Sequence, residues 1–134
     1  MDFQHTITVD LAYDEAVARV RDELAQQGFG IITEIDLAAT LRAKIGVEVE
    51  PQVILGACNP TLAHEALRID PRVAVLLPCN VTVSVSGGQT HVRVMDPQVM
   101  TAFDGTEALK PVADDASRRL GAVLDALATG PRTP

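Results

Sequence analysis

The chain reads as an α+β fold: a mostly antiparallel sheet with helices packed on one face. Three observations predict it. Several strand-like runs alternate apolar and polar residues with period two, the mark of half-buried strands. Segments whose apolar residues recur at helical spacing stand between those runs. Gly87-Gly88 joins two of the runs as a tight hairpin, a connection that only antiparallel strands make. Parallel strands would be apolar on both faces, and few segments here are.

In chain order, Phe3, His5, Ile7 and Val9 alternate with Gln4, Thr6 and Thr8 as a first strand. Asp10 is placed to cap a helix over 11–27, in which Tyr13, Ala16, Val17, Val20 and Leu24 share one face and Gly28 supplies a left-handed stop. A second strand is expected over 29–35. Asp36 then opens a short helix carrying Leu37, Leu41 and Ile45 that ends at Gly46. Residues 47–55 are strand-like, with Pro51 pointing to a bulge or an edge position. Asn59-Pro60 is a strong helix start, because asparagine caps well and proline at the first helical position gives up no needed hydrogen bond. That helix runs over 60–69.

Residues 73–77 form an apolar, strand-like run, Pro78 interrupts it, and 81–85 and 91–95 make the hairpin around Gly87-Gly88. Asp96-Pro97 repeats the cap-then-proline device for a short helix through Phe103. Val112, Ala116, Leu120, Val123 and Leu127 line one face of a terminal helix, with Asp114-Asp115 near its start and Arg118-Arg119 one turn later as pairing charges. The less apolar sheet face is expected to carry Gln4, Thr6, Glu34, Thr82, Ser84, His91 and Arg93. Such a face is wet, buried against a second subunit, or the wall of a ligand cleft.

A length of 134 residues suits one domain, read as 1–130, with 131–134 as a disordered tail. Hydrophobic residues make up 47% and charged ones 22%, a globular composition, and with no Trp, three Phe and one Tyr the core must be built from Val, Leu, Ile and Ala. The formal charge of −7 argues against nucleic acid as a partner, since affinity for phosphate backbones rests on Lys and Arg. No basic start followed by an apolar run opens the chain, and no window reaches membrane-span length, so neither a signal peptide nor a membrane partner is expected. Two cysteines without an export signal fit a reducing compartment, the cytoplasm by default.

Both cysteines precede asparagine, in Cys58-Asn59 and Cys79-Asn80. Cys58 sits one residue before a helix cap, where the helix dipole can lower a thiol pKa and raise its reactivity. It can equally be a small buried side chain, since free cysteine is among the most buried residue types. The twenty residues after Cys58 match neither Cys-x-x-Cys nor a zinc ribbon, so whether the thiols meet depends on the fold. Cys58 and Cys79 with one histidine, His64 for instance, would be a possible soft-metal set, although His64 beside Glu65 reads first as an exposed helix position. His5 lies on the apolar face of the first strand as a core or interface residue, and His91 follows the hairpin turn facing solvent. No phosphate loop, nucleophile elbow or His-Glu-x-x-His helix is present.

The stretches "ILGACNPTLAHEAL", "DPRVAVLLPCNVTV" and "VRVMDPQVM" closely resemble the bacterial and archaeal domain of unknown function 302 family, across nearly the whole chain. The resemblance implies a compact domain with a curved antiparallel sheet, helices on one face, a TATA-binding-protein-like arrangement and frequent homodimers. It implies no settled activity. The positions that carry over are Cys58, Asn59, Pro60, Pro78, Cys79, Asn80, Asp96 and Pro97. Asn59-Pro60 and Asp96-Pro97 are explained as helix starts, whereas an asparagine inside a strand gains little, which turns attention to Cys79 and Asn80. The leading expectation is a dimeric module binding a small ligand, metal or haem near Cys58, Asn59, Cys79 and Asn80. The alternatives are a thiol-dependent redox or sulfur-handling protein and a structural or interaction domain with both thiols buried.

Overall fold

The computed structural model describes residues 2–129. Five strands, β1 (Gln4–Val9), β2 (Gly30–Asp36), β3 (Gln52–Cys58), β4 (Cys79–Ser86) and β5 (Gln89–Met95), form one curved sheet in the order β1-β5-β4-β3-β2. Every neighbouring pair is antiparallel. Four α-helices accompany it: α1 (Tyr13–Gln26), α2 (Leu37–Ile45), α3 (Pro60–Ile69) and α4 (Lys110–Ala128). The expected α+β class holds, and the expected tail at 131–134 lies outside the described residues.

Register sorts the side chains. Val53, Val83, Val92 and Ile7 lie abreast across four strands, as do Leu55, Val81, Val94 and His5, so all eight share one face. Their valines and leucine are buried together with Val20 and Leu24 of α1 and Leu120, Val123 and Leu127 of α4. The opposite face carries Thr6, Thr8, Thr82, Ser84, His91 and Arg93, where Arg93 Nη1 donates to Ser84 Oγ at 2.9 Å and Thr8 Oγ1 lies 3.0 Å from His91 Nδ1. A second, smaller core joins Ala66 of α3, Val73, Met100, Leu109 and the first turns of α4.

Four expectations change. The alternation predicts Glu34 on the polar face, yet a register shift between Ile31 and Thr33 sets Glu34 opposite Leu55, on the helix-covered side, where it pairs with Arg21 of α1. Asp10 does not cap α1, whose N-cap is Ala12 with no side-chain hydrogen bond. The strand expected from residue 47 begins only at Gln52, directly after Pro51, whose carbonyl accepts from Val85 N at 3.0 Å while its own nitrogen has no hydrogen to give. The apolar run before Pro78 is a 3-10 helix, Pro71–Leu76, because Asp70 accepts from Arg72 N and Pro71 follows it. Asp70-Pro71 is thus a third copy of the device seen at Asn59-Pro60 and Asp96-Pro97.

The helix ends follow from local chemistry. Gly28 adopts φ +83°, Gly28 N donates to Ala25 O at 3.1 Å and Phe29 N to Leu24 O at 3.0 Å, the paired bonds of a Schellman stop for α1. Asp115 accepts from both Arg118 at 2.7 Å and Arg119 at 2.9 Å, and Asp114 takes Lys110 at 3.0 Å, so the charges on α4 pair largely as the spacing predicts.

Candidate functional site

The fold answers where the two Cys-Asn steps go. Strand β3 ends at Ala57-Cys58 and β4 begins at Cys79-Asn80, and the register sets Ala57 against Cys79 and Gly56 against Asn80. The steps therefore sit side by side at matching ends of neighbouring strands. Cys79 shares the buried face with Ala57, whereas Asn80 lies exposed on the open face opposite Gly56. Cys58 is half-buried, and both thiols are free.

Gly56 is fixed by its surroundings. A Cβ there would collide with Thr33 Oγ1 and stand 2.8 Å from Pro78 Cγ, so the proline ring and the threonine occupy the place of a side chain. The Leu77-Pro78 peptide is cis. Asn59 has two structural tasks. Its Oδ1 accepts from Leu62 N at 3.1 Å as the cap of α3, and its amide packs beside Gly28, where Arg119 Nη1 donates to Gln27 O at 3.0 Å.

Under this junction lies an apolar cleft of about 30 Å³ whose walls include Cys58, Cys79, Ala63, Leu77, Met100 and Ala116. That space admits a water-sized guest and not a porphyrin. Burial pushes the Cys79 thiol up to about 11, with the charge of Cys58 adding to the effect, so Cys79 stays protonated at neutral pH. Cys58 is the more exposed of the two thiols. His64 is exposed on α3 and is not part of the cleft wall, and among the described residues no group of three or more His, Cys, Asp or Glu side chains is placed to hold a metal ion.

One polar pair escaped the sequence reading. His5 Nε2 lies 3.0 Å from Asp96 Oδ2 across ninety-one positions of chain, while Asp96 Oδ1 accepts from Gln98 N at 2.8 Å. Asp96 was legible as a cap, but no local signal announces its second partner. His5 does lie on the helix-side register, as its place in the strand predicts, yet at the edge of the sheet with 58% of its side chain exposed.

The class is an antiparallel α+β domain with a buried Cys79 and a half-buried Cys58, one residue before the α3 cap, at one end of the sheet. Residues 5–127 match the family described as a domain of unknown function, DUF302, and the chain belongs to that family. It is also similar to the crystal structure of an uncharacterized conserved DUF302 protein from Bacillus stearothermophilus, with 31% identity, a TM-score of 0.88, and coverage of 95% of this chain and 99% of that one. No curated protein matches the chain. Among the described residues no helix is long and apolar enough to cross a membrane.

Proposed function

We propose that this chain is a small-ligand binding module that works as a homodimer in a reducing cytoplasm, with the apolar cleft at the Cys58-Cys79 junction as its binding site. The observation that carries the reading is the meeting of both Cys-Asn steps at one apolar cleft, which Cys58 borders from a half-exposed position. The ligand is small and mainly apolar, entering beside Cys58, and the protonated Cys79 thiol acts as a soft wall. The dithiol alternative gains no support, because a resolving thiol acts as thiolate and burial holds Cys79 in the thiol form.

The dimer is supported by where exposed apolar side chains fall. Ile32, Ile35, Ile45, Val47 and Val49 are all large, apolar and exposed, and they follow one another from edge strand β2 through α2 to the segment before β3.

Alkylation of the native protein followed by mass spectrometry tests the binding site. Cys58 is expected to react in the folded state and Cys79 only after unfolding. Saturating methanol, near the size the cleft admits, is expected to slow the Cys58 reaction, and Ala63→Leu, which fills the cleft from α3, to remove that protection. Protection that survives in a folded Ala63→Leu protein would place the ligand elsewhere.

A further inference from the structure

A second cavity, remote from the cysteines, opens where β1 and the end of β5 meet α4. It measures about 190 Å³, and its walls include Met95, Pro97, Leu120, Leu124, His5 and Gly121. Two features of this place have no explanation in folding alone.

The first is Gly121, in the interior of the nineteen-residue helix α4. Glycine there costs helix stability relative to alanine. It is not among the glycines with positive φ, and a Cβ built on it meets nothing within 4 Å, so neither backbone conformation nor close packing calls for it. What its missing side chain does is leave the cavity open. The second is the His5–Asp96 pair. The Asp96 carboxylate, with only 15% of its side chain exposed, accepts from Nε2–H of His5, which leaves Nδ1 as the ring's remaining hydrogen-bonding atom. Ser117 adds a hydroxyl to the wall, held by Gln98 Nε2 at 3.3 Å.

We propose that this cavity is a binding site for a small alcohol or phenol, with its apolar body between Leu120, Leu124 and Pro97 and its hydroxyl donating to His5 Nδ1. Size and polarity set the class. An apolar cavity of about 150 Å³ takes a benzene-sized guest, so the space here suits one ring or a short branched chain. A neutral imidazole whose Nε2–H donates to a carboxylate presents an acceptor at Nδ1, which selects a hydroxyl over an ether or a hydrocarbon. Gly121 keeps the room for the body, and Asp96 holds the tautomer.

Phenol, with toluene as its hydroxyl-free counterpart, is the probe. Each is titrated into the full-length protein while the methyl resonances of Leu120 and Leu124 and the ring resonances of His5 are followed by NMR. Phenol is expected to shift all of them saturably and to bind about threefold to tenfold tighter than toluene, the preference one hydrogen bond supplies. His5→Phe, which keeps a ring and removes the acceptor, is expected to erase the preference while both probes still bind. Gly121→Leu is expected to abolish binding of both, with a thermal melt confirming the fold; should that variant not fold, the smaller Gly121→Ala is expected to weaken both. Absence of saturable shifts at Leu120 and Leu124, equal affinity for phenol and toluene in the parent protein, or undiminished binding in a folded Gly121→Leu or Gly121→Ala protein would overturn the proposal. Shifts confined to residues around Cys58 would also overturn it, while leaving the cleft reading untouched.

Discussion

Cys79 ties burial to a measurable pH dependence. Its thiol ionises near 9 in the unfolded chain and at about 11 in the folded one. Below pH 9 both states keep the proton and the full contribution is present; as pH rises from 9 to 11 only the unfolded state releases it, so stability falls. The loss reaches about 2–3 kcal/mol once the folded thiol also ionises. Cys79→Ala is expected to flatten that fall between pH 9 and 11 in paired thermal melts, and an unchanged slope would mean that the thiol is not shielded as described. Gly56 makes a steric prediction on the other face of the same strands. Gly56→Ala is expected to cost about 1–3 kcal/mol in urea denaturation, and Thr33→Ala in the same chain to recover part of it, because the threonine hydroxyl is what the new methyl meets first.

At the scale of elements, helix α3 depends on one side chain at its start. Asn59→Ala removes the acceptor for Leu62 N and is expected to destabilise the protein by about 1 kcal/mol, whereas Asn59→Asp, which keeps an acceptor at the cap, is expected to recover most of that loss, as read by denaturant midpoints. This start was fully legible, since Asn-Pro carries its meaning within two residues. So were the hairpin, the face of α4 and the polar side of β4 and β5, all of which rest on short-range periodicity. The failures share a physical cause. At Asp70-Pro71 the apolar run behind it looked like a strand, and the cap overrode the composition. Glu34 changed faces because one bulge inverts the alternation for every later residue of β2, and period-two counting has no term for a bulge. The candidate sites divide in the same way. Each Cys-Asn step was visible locally, but their adjacency is a matter of register between β3 and β4, and the His5–Asp96 pair exists only because β1 lies beside β5.

For the whole molecule, charge and exposed apolar surface act in opposition. Each chain carries a formal charge of −7, so two copies repel at long range, while burying Ile45, Val47 and Val49 would draw them together at contact. The first term is screened within about 10 Å at 0.1 M ionic strength and the second is not. Association of the proposed dimer is therefore expected to strengthen with added sodium chloride, a direction opposite to that of an interface held by ion pairs. Multi-angle light scattering across a salt series reads this directly. The double substitution Ile45→Lys and Val49→Lys is expected to leave the protein monomeric at every salt concentration with little change in melting temperature, because both side chains are exposed in the single chain and lose no core contact. A parent protein that stays monomeric at micromolar concentration in high salt removes the dimer. A dimer that persists in the double variant moves its interface from this stretch to the other uncovered surface of the fold, the polar face of β1, β5 and β4.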